Sequence, residues 1–279
     1  MKVSVVGVSG ASGYVGSAVC QALRDAGHVI IRLGRDSRSS DREFTLAKAD
    51  SCDLSGMDTF IHCAWDLTAS SWEAIRANNI DSARTLIARA KDAGISQFLF
   101  ISSMAAFAGC QSMYGRSKLL VEEAVLASRG TVVRPGTVYG GSGRGIVSAI
   151  TGVMRRFHIA PLIGGGKQTL CTVHIDDLTA CIAKIVEVPQ YFQGVRISAA
   201  HRTPIELQAF LEAIARNEGV RPVYVPIPAW MLYWPLRLLE KLRFRVPLRS
   251  DAVVSITSRP ACEEYFPLPP ECSVAFRPL

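Results

Sequence analysis

Apolar positions in the first half of the chain fall into short runs separated by stretches of helical spacing. Val3 to Val6 is a β-branched run of strand character. After a glycine-rich turn, Tyr14 to Ala26 has helical periodicity and ends at Gly27, a residue suited to a helix C-terminus. His28 to Leu33 reads as a second strand, and Thr59 to Cys63 as a buried strand ending in small residues. Ser71 to Ala93 is helical in pattern, opens on a serine cap and stops at Gly94. Gln97 to Ile101 and Thr131 to Arg134 are further apolar strands. This alternation predicts an α/β fold, a doubly wound parallel sheet of Rossmann type covered on both faces.

The pattern changes after residue 140. Gly141 to Gly145 is glycine-rich, Gly164 to Gly166 repeats the signal, and proline is frequent from Pro222 onward. These features predict a dinucleotide-binding domain over 1–140 and a smaller substrate lobe over 141–279. The boundary is not a clean cut, because Val173 to Val186 and Val195 to Ser198 are expected to return to the sheet.

Composition narrows the function classes. Apolar residues make up 49% of the chain and charged residues 20%, enough for a substantial core. The 31 basic and 24 acidic residues leave a net charge of +7. The basic residues are dispersed, with no Cys/His finger or RNA-binding aromatic motif, so no nucleic-acid partner is expected and an anionic small ligand is favoured. The eight cysteines form no C-x-x-C pair and sit mostly in apolar runs, which reads as buried reduced thiols in a cytoplasmic protein. The glycines and alanines that interrupt Met1 to Gly16 argue against a targeting segment, and no apolar run is long enough to span a bilayer.

Candidate chemistry begins in the turn after the first strand. Gly10, Gly13 and Gly16 follow the spacing G-x-x-G-x-x-G and open a helix through Tyr14 and Val15. A helix N-terminus offers unpaired N–H groups and partial positive charge to a pyrophosphate, provided no side chain blocks the approach. Strand two ends in Gly34-Arg35-Asp36. A carboxylate at this end suits the ribose of NAD, whereas a guanidinium suits the 2′-phosphate of NADP. Arg35 therefore tips the balance slightly to NADP, with Asp36 as the competing acid.

Tyr114-Gly115-Arg116-Ser117-Lys118 is a Y-x-x-x-K motif. On a helix its ends share one face, so the ammonium of Lys118 can lower the pKa of the Tyr114 phenol, which otherwise titrates near ~10. Upstream, a strand ends in Ser102-Ser103. A hydroxyl at that carboxyl end faces the ligand crevice of such a sheet, where Ser103 can bond the substrate oxygen served by Tyr114.

Taken together, these motifs resemble the extended short-chain dehydrogenase/reductase family, the NAD(P)-dependent epimerase/dehydratase group that modifies nucleotide sugars. Ile61-His62-Cys63-Ala64 is similar to the family strand whose Ala lies against the cofactor. Asn79-Ile80 with Leu86-Ile87 resembles its N-V…L-L helix, and Ser102-Ser103 its serine motif. Arg134-Pro135-Gly136-Thr137-Val138-Tyr139-Gly140 resembles R-P-x-N-V-Y-G. The resemblance implies that Ser103, Tyr114 and Lys118 are catalytic. It also implies that Ala64 and Pro135 join the turn, Arg35, Tyr114 and Lys118 around the cofactor, and that Thr137 joins Ser103 at the substrate. Thr172 to Asp177 resembles F-V-H-V-D-D, so His174, Asp176 and Asp177 are structural rather than metal ligands, and no metal is expected.

The expected activity is that of an oxidoreductase or isomerase. An epimerase or oxidoreductase of a nucleotide-linked sugar leads; an NADPH-dependent reductase of a non-sugar carbonyl and a dinucleotide-binding redox sensor are the rivals. Met104-Ala105 stands where sugar dehydratases carry an acidic pair, which argues against dehydration. Ala106-Phe107-Ala108 replaces the family's V-Y-G, and the loop from Ser103 to Tyr114 is short. The aromatic, basic segment from Pro228 to Arg249 is read as lobe packing rather than membrane contact. Arg237, Arg243, Arg245 and Arg249 within it are candidates for a nucleotide diphosphate. A homodimer is compatible with the family.

Overall fold

A computed structural model describes residues 3–141, 146–242, 244, 249–258, 264–272 and 274–279. The first half runs β1 (Val5–Ser9), α1 (Tyr14–Asp25), β2 (Val29–Gly34), β3 (Arg42–Glu43), β4 (Thr59–His62), α2 (Trp72–Ile75), α3 (Ser82–Asp92), β5 (Gln97–Ile101), α4 (Met113–Ala127), β6 (Thr131–Pro135) and β7 (Thr137–Tyr139). The second half continues α5 (Ile146–Phe157), β8 (Ile159–Ile163), β9 (Thr169–Leu170), β10 (Thr172–His174), α6 (Ile175–Glu187), β11 (Arg196–Ala199), β12 (Ile205–Glu206), α7 (Leu207–Asn217), β13 (Val223–Ile227), α8 (Ala229–Lys241) and α9 (Ser250–Thr257).

Seven strands form one parallel sheet in the order β11-β6-β5-β4-β1-β2-β3. β1 lies in its interior, with Val6 in register with Ile30 of β2 and Thr59 of β4. The strand order reverses between β1 and β4, and the carboxyl ends of those strands border the crevice where such sheets bind ligands. Both faces are covered, which explains the near-continuous apolar runs of the central strands. On one face Val8, Leu23 of α1, Ile182 of α6 and Ile197 form a buried cluster. On the other, Phe60, Phe100, Leu86 of α3 and Val121 of α4 do the same. Each such side chain contributes roughly 1.5–3 kcal/mol by leaving water. A third cluster, with Met154 of α5, Leu162 and Phe210 of α7, forms the core of the second half.

The expected α/β doubly wound sheet is present, with local departures. β3 adds an edge strand that has no apolar pattern of its own. The helix expected over 71–93 is interrupted by a π-helical stretch, Arg76–Asp81, between α2 and α3. The segment from Val173 to Val186 is mostly α6; β10 pairs with β7 outside the main sheet, and only β11 returns to it. Regular structure also continues past Pro222, in β13, α8 and α9. The expectation of reduced thiols holds for Cys20, Cys52, Cys63, Cys110, Cys181 and Cys272. It fails at Cys171, which is disulfide-bonded; no local spacing signals such a pairing. Residues 142–145 of the second glycine-rich stretch lie outside the described residues. Among the described residues no helix is long and apolar enough to cross a membrane.

Candidate active site

The turn between β1 and α1 owes its shape to glycine. Gly10 has φ of +69°, and a Cβ there would lie 2.8 Å from the backbone nitrogen of Ala64. A Cβ on Gly16 would lie 2.2 Å from the carbonyl oxygen of Gly10, so the helix packs against the turn only because that side chain is missing. Gly13 caps α1 without a side-chain hydrogen bond, and no acidic residue occupies the first turn. No carboxylate of the first turn therefore offsets the backbone donors and dipole at this end, which fits a dinucleotide pyrophosphate. Val15 packs into the core. The Tyr14 hydroxyl donates to Gly140 O at 2.6 Å, tying the turn to the exit of β7. Burial, then the charge of Asp176, raises the pKa of that phenol.

Beneath the turn lies a pair that the motifs did not single out. Ser9 Oγ and His62 Nδ1 are 2.8 Å apart and buried, and the amide of Ala64 donates to Ser9 Oγ at 3.3 Å. Burial, then the charge of Lys118, depresses His62 to about 3, so the ring is neutral. At the end of β2, Arg35 is exposed and pairs with no described residue. Asp36, the competing acid, is held by Arg38 at 3.2 Å.

Tyr114 and Lys118 stand one turn apart on α4. Ser112 caps the helix by accepting from the amide of Gly115 at 3.0 Å. From the far end of the chain, Asp251 of α9 accepts from the amides of Met113 at 2.7 Å and Tyr114 at 2.9 Å. The loop carrying Ser103 is pressed onto the same helix: a Cβ on Gly115 would lie 2.2 Å from Ala105 O. Ser103 Oγ accepts from the amide of Ala105 at 3.1 Å, and the amide of Met104 donates to Pro135 O at 2.9 Å. Thr137 opens β7, its amide bonded to Cys171 O at 2.8 Å.

Lys118 is buried, and its Nζ donates to Ile101 O at 2.7 Å. It lies 3.8 Å from the centre of the Trp65 ring, 4.6 Å from that of Phe100 and 5.8 Å from that of Tyr114. Burial lowers its pKa to about 7, with Cys63 and Glu122 opposing the shift. Trp65 meets Tyr114 edge-on, with ring centres 6.3 Å apart. It is a site neighbour missed from the motifs, although its place directly after Ala64 at a strand's carboxyl end is a signal. One turn beyond Lys118, buried Glu122 accepts from Ser102 at 2.5 Å and Arg134 at 2.9 Å, and pairs with Arg196 at 2.8 Å. Glu264 binds the other side of Arg134 at 2.9 Å. This network engages the arginine of the R-P-x motif inside the fold.

The second half closes against the loop after Trp65. Arg249 donates to Glu240 at 2.9 Å and to Thr68 O at 2.6 Å. Arg237 lies 3.7 Å from the same Glu240. Of the four basic residues considered for a diphosphate, these two face an internal carboxylate; Arg243 and Arg245 lie outside the described residues. The aromatic stretch read as lobe packing packs by one side only, and Trp230 and Trp234 are 64% and 65% exposed. His174 caps α6, and Asp177 holds Arg277 at 2.6 Å. Among the described residues no cluster of side chains could hold a metal.

The profile of the NAD dependent epimerase/dehydratase family matches residues 6–197. The chain belongs to this family. It is accordingly a family enzyme with a Rossmann-type fold, and an NAD(P) dinucleotide is typical of the family. Ceramide reductase of Caulobacter vibrioides is 26% identical over 80% of this chain and 74% of that protein. The decarboxylating sterol-4-alpha-carboxylate 3-dehydrogenase of Dictyostelium discoideum is 24% identical over 84% of each. UDP-glucose 4-epimerase from Thermotoga maritima, solved with UDP-glucose, superposes with a TM-score of 0.71 over 91% of this chain and 97% of that one. At 17% identity that likeness shows the fold alone.

Proposed function

We propose that this family member is an NADPH-dependent oxidoreductase acting on the carbonyl or hydroxyl group of an apolar compound, with Ser103, Tyr114 and Lys118 as catalytic residues. The reading rests on one arrangement: Lys118, buried with a pKa near its working range, one helical turn from Tyr114, on the helix that the Ser103 loop abuts. Gly10, Gly13, Tyr14, Val15 and Gly16 hold the pyrophosphate through their backbone, and Arg35 takes the 2′-phosphate. Ala64 and Pro135 border the nicotinamide, with the cofactor part of the chain over 1–140 and the substrate lobe mainly over 141–279.

When bound, the reduced nicotinamide supplies hydride to the carbonyl carbon. The Tyr114 hydroxyl donates its proton to the carbonyl oxygen, and the Lys118 ammonium stabilises the phenolate left behind. Ser103 bonds the same oxygen and orients it, with Thr137 alongside. Lys118 is charged below about pH 7, so carbonyl reduction is favoured on the acid side of neutrality.

Two observations support an apolar substrate over a nucleotide sugar. Arg237 and Arg249 are turned toward Glu240, and the residues following Ser103 are Met104, Ala105 and Ala106, the last two buried. Two relatives are named for ceramide and a sterol carboxylate. The test is NADPH oxidation with a 3-keto steroid and a long-chain aliphatic ketone, set against binding of UDP-glucose. Turnover of either ketone with no nucleotide binding supports the reading; tight UDP-glucose binding with neither ketone turned over overturns it.

A further inference from the structure

Helix α8 carries its apolar residues on the wrong side for a core helix. Trp230, Trp234 and Leu238 recur every fourth residue on one side of it, with Met231 and Leu239 beside them and Leu242 directly after its end. These six are 64%, 65%, 59%, 51%, 37% and 59% exposed, respectively. The opposite side holds half-buried Leu232, Tyr233 and Leu236, with Glu240 buried. The helix is thus apolar toward the protein and apolar toward its surroundings.

Its charges decide what can cover the outer side. Glu240 is the sole acidic residue of α8, and it is turned inward onto Arg249 and Ser250. Lys241 stands exposed at the helix end and Arg237 is partly exposed. On the outer side of the helix no carboxylate stands to pair with Lys241 of a second copy. An anionic lipid surface instead complements the lysine and the chain's net charge of +7. Trp and Leu beside basic residues suit a helix lying in the boundary between headgroups and acyl chains.

We propose that α8 docks the protein on anionic phospholipid membranes, lying in the interface with Trp230 and Trp234 inserted. Through Glu240 and Arg249 the inner side of the helix is joined to the carbonyls of Leu67 and Thr68. That loop begins at Trp65, so the docked helix brings the lipid surface beside the candidate active site. The proposal does not depend on which substrate the site accepts.

The test is sedimentation of the full chain with vesicles of phosphatidylcholine containing about one third phosphatidylglycerol. Wild type is expected to co-sediment, its tryptophan emission shifting to the blue and being quenched by acyl-brominated lipid. Trp230→Ser/Trp234→Ser weakens partitioning about tenfold, and Lys241→Glu weakens it roughly fivefold or more. Circular dichroism and melting temperature of the variants are expected to match wild type. Absence of sedimentation and quenching in wild type, or equal partitioning by the double serine variant, overturns the proposal. So does light scattering that shows a wild-type dimer dissociated by the serine pair, since a second copy then covers the face. If the serine variant misfolds, the quenching of wild type and the loss in Lys241→Glu still decide.

Discussion

Replacing Asp251 by alanine tests whether the C-terminal part of the chain holds the candidate active site in place. Its two oxygens accept from the amides of Met113 and Tyr114, at 2.7 and 2.9 Å, at the start of α4. Ser112 goes on capping the amide of Gly115, so two of the helix's free donors lose their partner and the third keeps it. A cap residue contributes about 0.5–2 kcal/mol, and a carboxylate at the positive end of a helix adds about 0.3–1 kcal/mol. Asp251 is half-buried, so water can replace part of the loss. The expected destabilisation is about 2 kcal/mol, or a fall of roughly 3–4 °C in Tm for a chain of this size. Asp251→Asn keeps a neutral acceptor and should lose about half as much. Because Tyr114 lies in the loosened turn, kcat should fall about tenfold while the Kd for NADPH stays constant. Thermal unfolding and steady-state kinetics on the three proteins make the measurement. An alanine variant within about 0.5 kcal/mol of wild type, with unchanged kcat, would show that Asp251 holds neither the first turn of α4 nor Tyr114 in place.

Three further outcomes are expected. Gly16→Ala places a Cβ against Gly10 O at 2.2 Å; the turn must open, and dinucleotide binding, followed by fluorescence titration, should be lost before the fold is. Lys118→Met tests the buried amine through pH. The folded pKa of about 7 lies below the unfolded value near ~10.4, so the unfolded chain binds more protons between them. Wild type should therefore gain about 1.4 kcal/mol per pH unit relative to the Met variant across that window, and nothing below it; denaturant unfolding at several pH values reads the difference. Arg35→Ala should weaken NADPH about tenfold or more and leave NADH unchanged in parallel titrations; equal loss for both would show that the guanidinium does not face the 2′-phosphate.

Much of the sheet was legible because buried parallel strands are short β-branched or aromatic runs, as at Phe98 to Ile101. The glycine turn was legible because its spacing is a backbone requirement, visible at Gly10 and Gly16 without any partner. Tyr114 and Lys118 were legible as a pair because their four-residue spacing shares one face once the segment is helical, as α4 is. What the sequence hid depends on contacts distant along the chain. Asp251 reaches α4 across more than a hundred residues, and nothing near it in the chain names its partners. Arg42–Glu43 joins the sheet only because β2 offers an edge. The apolar pattern of α8 could not tell an inner side from an outer one, since both are rich in Leu and aromatic residues; the exposure of Trp230 and Trp234 needed the fold. Arg134 of the R-P-x motif is held inside the fold by Glu122 and Glu264, and neither partner is marked by the motif itself.

The most direct test of the catalytic assignment is single-turnover oxidation of NADPH by a ketone substrate in wild type and Tyr114→Phe, with the Kd for NADPH measured on both. Cofactor affinity should be equal in the two proteins and the rate about a thousandfold lower in the Phe variant, the loss expected when the proton donor is removed. A Phe variant that binds NADPH equally and turns over within about tenfold of wild type would contradict the assignment, and would move the proton donor to another residue.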